Sequence, residues 1–275
     1  MADTKISAMT ALTGANLASG DKFPVVDVSE ADATKNKSMT RDELANGFGP
    51  VMPFSSRARR NAYYFEDFLD TASTNNEGFA AIVSGTGAAV AQVATTSGKF
   101  GLARGDLGTT TTGRVRISHP LLTAITAGIG QLSFLASMAL NTLSSAAERY
   151  SCRLGFIDSG TGESTDGMFF RYDSEVNAGE WECVCRAAGV ETVTDSNVAP
   201  SAGVYQLFSI VANAAGTSVV FQINDSTVAT ITTNIPTGAN AFTWGIMALK
   251  SAGTTATSSF LLDFWEVEQN FAAAR

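Results

Sequence analysis

A chain of 275 residues with one histidine has few routes to acid–base chemistry. His119 stands before Pro120 at the end of the run GRVRISH, so any Ser-His-Asp nucleophilic arrangement would have to be built around that single imidazole, and we expect none. Carboxylates are the next candidates. Asp158, Glu163, Asp166, Asp173, Glu175, Glu180 and Glu182 crowd one stretch of sequence, and paired carboxylates are what glycoside hydrolysis requires. Most of them fall in the turn-rich segments DSGTGESTDG and DSEVNAGEWE, where acids ordinarily solvate a turn, so Glu163→Ala is expected to be nearly silent. Asp158, Ser159, Glu163 and Asp166 supply the hard oxygens a calcium ion takes, but the Asp-x-Asp-x-Asp-Gly spacing of a dedicated loop is absent. Cys152, Cys183 and Cys185 are an odd set, with no second cysteine pair or histidine at ligand spacing, and read as buried thiols. Trp181, Trp244 and Trp265 have faces that could stack on sugars, although such residues more often fill a core. No catalytic residue, metal or cofactor is assigned, and the chain reads as non-enzymatic.

The elements that would position these groups are strands. Small and β-branched residues dominate in runs such as GTTTTG, SAGTTATSS and ATITT, while long stretches of strong helix formers are missing. From Tyr63 onward about eleven short alternating runs recur with turn signals between them. They are GFAAIVSG, GRVRISH, LSFLASMAL, RYSCRLGFID, GMFFRYD, EWECVCRAAG, VYQLFSIVAN, TSVVFQIN, TVATITTN, FTWGIMALKS and SSFLLDFWEVEQNF. Period-2 alternation places Trp181, Cys183 and Cys185 on one face, and Cys152, Leu154 and Phe156 on another. In VVFQINDSTVATITT, Asn224-Asp225-Ser226 reads as a tight turn with Val219, Phe221 and Ile223 facing the core. The expectation is an all-β sandwich spanning residues 63–275.

Charge and hydropathy remove several partners. The balance of 18 basic against 26 acidic residues leaves a formal net charge of −8, which disfavours nucleic acid. Pro120 to Ala147 carries no charge, but Gly128, Gly130, Gln131 and Asn141 interrupt it. Leu132, Phe134, Ala136, Met138 and Leu140 alternate as in a strand, so no membrane span is expected. Met1 to Lys22 lacks the apolar block of a signal peptide, and assembly in the cytoplasm is the expectation.

Residues 1–49 have a different texture. Apolar beads at Ile6, Leu12, Leu17, Phe23, Val25 and Val26 are separated by turn residues, as in an extended arm that cannot bury them alone. One short helix is expected in SMTRDELANGF, with Thr40 and Glu43 as a capping box and Leu44 and Phe48 on one face. Residues 50–62 read as a linker in which Arg57, Arg59 and Arg60 concentrate positive charge. Ile6, Leu12, Leu17, Phe23, Val25, Val26, Leu44 and the three arginines are the candidate partner-binding residues of the arm.

Two parts of the sequence resemble bacteriophage virion proteins. The opening KISAMTALTGANLASGDKFPVVDVSEADATKNKSMTRDEL, with Gly20, Asp21, Pro24, Val25, Val26 and Asp27 as its central block, is similar to the N-terminal stretch of phage tail-fibre, tail-spike and head-attached proteins. Its ATKNKSMTRDEL departs from that pattern by an asparagine between the lysines. The remainder, including AAERYSCRLGFIDS, DGMFFRYDS and SSFLLDFWEVEQNF, resembles the concanavalin/lectin-like jelly-roll β-sandwich of phage structural proteins. The resemblance implies localisation to a virion assembled in the host cytoplasm. It implies docking by the arm on the major capsid protein or other virion subunits, and a homotrimer. The role expected is capsid cement or decoration, the alternative being a short tail fibre whose sandwich recognises a host surface glycan. No collagen-like, heptad or β-helix repeat lies between Gly49 and Tyr63 to form a shaft, which favours the first.

Overall fold

The computed structural model describes residues 22–26, 36–40, 61–68, 79–93, 99, 101–120, 125–159, 161–238, 240–254 and 258–272. The chain divides into two compact units, Met1–Ala58 and Arg59–Arg275.

In the first unit, β1 (Lys22–Val26) and β2 (Asn36–Thr40) pair antiparallel, with Phe23 opposite Met39 and Val25 opposite Lys37. The stretch expected to be extended therefore closes on itself as a hairpin, which satisfies part of its backbone internally. Pro24 is tolerated because a two-stranded sheet consists only of edges. Thr40, expected to cap a helix, ends β2, and the rest of that helix, with Glu43, Leu44 and Phe48, lies outside the described residues.

The second unit is two antiparallel sheets. The seven-stranded sheet runs in the order β12 (Val190–Asp195), β11 (Glu182–Ala187), β10 (Gly167–Asp173), β9 (Tyr150–Ile157), β16 (Thr243–Lys250), β7 (Arg114–Ser118) and β4 (Ala80–Ser84). The eight-stranded sheet runs β15 (Ser226–Ile231), β14 (Val219–Ile223), β13 (Gln206–Ala212), β8 (Gly130–Leu140), β17 (Ser259–Phe271), β6 (Leu102–Leu107) and β5 (Ala88–Val93). Its remaining strand, β3 (Asn61–Glu66), pairs with the far half of β17 and begins inside the stretch read as linker. All eleven runs picked out by alternation lie on strands; β3, β5, β6 and β12 were not anticipated.

Strand alternation builds the core between the sheets. Leu132, Phe134, Ala136, Met138 and Leu140 of β8 face Tyr150, Cys152, Leu154 and Phe156 of β9 across one buried cluster. Trp181, Cys183 and Cys185, at and just before β11, enter it from the same sheet as β9, and the Trp181 indole donates to Gln206 Oε1 at 2.9 Å. Trp244 and Trp265 are buried there as well, so none of the three tryptophans offers a free stacking face. Asn224 and Asp225 both take positive φ (51° and 63°), giving the two-residue turn whose twist matches the hairpin β14–β15. No helix among the described residues is long and apolar enough to cross a membrane; the charge-free stretch supplies β8.

Candidate functional site

The seven-stranded sheet is buried at the centre of its second face too. Ile157, Phe169, Val184 and Met247 point away from the main core, are fully buried, and form a small cluster of their own with Leu249 packed against it. Around this cluster the sheet presents arginines. Register places Ile82, Arg116, Met247, Arg153, Arg171 and Glu182 in one row across six strands, with Arg114 in the next row of that face on one side and Arg186 two rows away on the other. Each arginine occupies the off-core position of an alternating strand, as with Arg114 and Arg116 around Val115.

Three of the five are held by carboxylates. Arg171 donates through Nε to Glu182 at 2.7 Å and lies 3.2 Å from Glu191, which also meets Arg186 at 3.2 Å. Arg153, with 4% of its side chain exposed, pairs with Glu163 and donates from Nη1 to the Gly162 carbonyl at 3.2 Å. Burial pushes the Arg153 pKa down, and Glu163 is the largest influence opposing that shift. Arg114 donates from Nη1 to the Thr161 carbonyl at 3.2 Å. The segment from Asp158 to Asp166 is thereby tied to the arginine face at Thr161, Gly162 and Glu163.

Arg116 is different. It is 2% exposed, and neither Nε nor Nη2 meets an acceptor. Burial lowers its pKa, with no carboxylate opposing the shift. Beside it, Gly245 pairs directly with Gly155 and with Ser118, so the row next to Met247 carries no side chain on its two central strands.

These contacts give structural roles to the acids that suggested chemistry. Asp158 accepts the backbone N–H groups of Thr165 (2.9 Å) and Asp166 (3.0 Å), and Asp166 accepts that of Ala188 (2.8 Å), so both close loops. Asp173 is gripped bidentately by Arg149 through Nε and Nη2, each at 2.9 Å. Glu163 corrects the expectation of a merely solvated loop acid, because it is the counterion of a buried guanidinium. Among the described residues no group of three or more His, Cys, Asp or Glu side chains is gathered to hold a metal. His119 stacks on Trp244 with ring centroids 4.3 Å apart and meets Tyr64 edge-on at 5.9 Å. Of the arm residues, Phe23, Val25 and Val26 lie on β1; Ile6, Leu12, Leu17, Leu44, Arg57, Arg59 and Arg60 fall outside the described residues. The arginine face itself was missed by sequence reading. Its only local signal is one arginine type recurring at off-core positions in RVRIS, YSCRLGFI, GMFFRYD and ECVCRA.

The sandwich is a concanavalin/lectin-like jelly roll. It is similar to the SO2946 protein of Shewanella oneidensis MR-1, itself of unknown function, at TM-score 0.61 and 16% identity over 86% of this chain and 97% of that one. It is also similar to the carbohydrate recognition domain of Emp47p, at TM-score 0.52 and 10% identity over 78% and 100% of the two chains. An endo-1,3-β-glucanase from Streptomyces sioyaensis aligns at TM-score 0.51 and 14% identity over 78% and 98%. Identities this low speak for the fold alone. No curated protein matches the chain. Residues 98–263, which include β6 through β16, the arginine face and the loop tied to it, match the SO2946-like C-terminal domain, and the chain belongs to that family.

Proposed function

We propose that this protein is a non-enzymatic structural component of a bacteriophage particle, docked through its N-terminal unit and displaying the jelly-roll sandwich. The observation that carries the reading is the division of the chain at Ala58, which separates the virion-protein-like opening from a sandwich with its own core. The block Gly20, Asp21, Pro24, Val25, Val26 and Asp27 supplies the resemblance, and it overlaps β1. A non-enzymatic role is supported by the occupation of Glu163, Glu182 and Glu191 by arginines and of Asp158 and Asp166 by backbone amides. Glycoside hydrolysis needs two carboxylates facing a common substrate, and these face their own fold.

Within this reading the protein is a capsid cement or decoration component, assembled in the host cytoplasm as a homotrimer on the major capsid protein or other virion subunits. A ligand that binds the assembled shell better than dispersed subunits stabilises the shell. The test is deletion of residues 1–58: the sandwich should stay folded and fail to join particles. Particles lacking the protein should lose their genome at lower temperature while adsorbing normally. Full occupancy by the truncated protein overturns docking by this unit, and a monomer in sedimentation at micromolar concentration overturns the trimer. A second reading, a short tail fibre recognising a host glycan, is favoured by the likeness of the sandwich to a carbohydrate recognition domain. Heat-stable particles unable to adsorb would replace the first reading with it.

A further inference from the structure

We propose that Arg116, flanked by Arg114 on the same strand face and Arg153 two strands away, is a binding site for the oxyanion of an acidic ligand, a carboxylate, sulfate or phosphate group. The inference does not depend on particle attachment. A guanidinium stays charged in proteins and carries five N–H donors, and enclosing one without an acceptor is among the costlier arrangements a fold can hold. Arg116 is enclosed in this way on β7, between Ile82 of β4 and Met247 of β16. The other four arginines of the face each have at least one acceptor.

The surroundings suit an anion. Arg114 lies two residues along the same strand face, about 7 Å away at the backbone, and Arg153 sits across Met247 at about 10 Å, where Glu163 already compensates it. Arg114 has a carbonyl partner but no carboxylate, and its Nε is also buried without an acceptor. On the β10 and β11 side, Glu182 and Glu191 neutralise Arg171 and Arg186. The uncompensated charge is therefore concentrated at β7. The planar fork of a guanidinium receives two oxygens of one oxyanion at once, which a lysine cannot do.

The test is calorimetric melting of the full chain, wild type against Arg116→Met and Arg116→Lys, in sodium phosphate, sulfate or glucuronate, with sodium chloride at equal ionic strength as control. For the wild type, at least one oxyanion should raise Tm saturably beyond chloride, by roughly 5–10 °C at a hundredfold excess over its dissociation constant. A response to glucuronate above that to the inorganic ions assigns the oxyanion to an acidic saccharide, and the opposite order assigns it to a phosphate or sulfate group. Arg116→Met should melt higher than wild type without ligand, because an unpaired buried charge is gone, and should respond no more than to chloride. Arg116→Lys, which keeps the charge but not the fork, should need at least tenfold more ligand. A wild-type response no greater than that to chloride overturns the proposal. So does an oxyanion response that survives in Arg116→Met or, should that variant fail to fold, an unchanged one in Arg116→Lys.

Discussion

Replacing Glu163 by alanine leaves Arg153 under the 158–166 segment with only the Gly162 carbonyl as acceptor. Removing one partner of a fully buried ion pair costs about 3–5 kcal/mol, and an exposed pair is worth about 0–1 kcal/mol. This pair is asymmetric: the Arg153 side chain is 4% exposed and that of Glu163 is 53% exposed. Water reaches the carboxylate but hardly the guanidinium, so the expected loss lies between the limits, about 1–2 kcal/mol. Arg186, 3.5 Å from Glu163, loses a second and weaker contact. For a domain of this size, that loss lowers Tm by roughly 3–6 °C, to be read by calorimetry at low salt. In an Arg153→Met background the same substitution should cost much less, since the charge needing compensation has gone. A Tm within about 1 °C of wild type, or equal losses in both backgrounds, would refute the argument that Glu163 is a structural counterion.

Phe221→Asp should abolish folding, because Phe221 is fully buried, meets Phe170 edge-on at 5.3 Å, and an unpaired carboxylate there costs several kcal/mol; a cooperative melt near wild type would contradict the core assignment. Burial pushes the thiols of Cys152 and Cys183 up to about 12 and that of Cys185 up as well, so all three should resist alkylation at pH 8 until the protein unfolds. Because these folded values lie above those of the unfolded chain, the associated stability is complete below about pH 9 and is lost as pH rises toward about 12. Denaturant midpoints measured between pH 8 and 11 should fall, and a flat profile would count against the burial.

Alternation is local, and local information was enough for much of this fold. In GRVRISH or TSVVFQIN, successive side chains must point to opposite sides of the strand, so Val115, Ile117, Val219, Phe221 and Ile223 declare a core face without any knowledge of their neighbours. The turn at Asn224-Asp225 was legible for the same reason, since residues tolerant of positive φ mark a tight hairpin. Strands lacking contrast between faces were not legible. β5 is AAVAQV, β12 is exposed along an edge, and β6 carries Arg104 and Asp106 paired at 2.9 Å within one strand.

The chemistry of the second face depended on information no single strand contains. Arg116, Arg153 and Arg171 are each an ordinary off-core residue in their own strands, and only the pairings of β7 with β16, β16 with β9 and β9 with β10 set them in one row. Cross-strand order arises from contacts distant in sequence, and it decides which charges are compensated. By itself the sequence determined that this is an all-β sandwich with buried thiols, because those properties follow from alternation and residue type. That Glu163 neutralises Arg153, while Arg116 is enclosed without an acceptor, was decided only when the sheet brought those strands together and the 158–166 segment was tied across them.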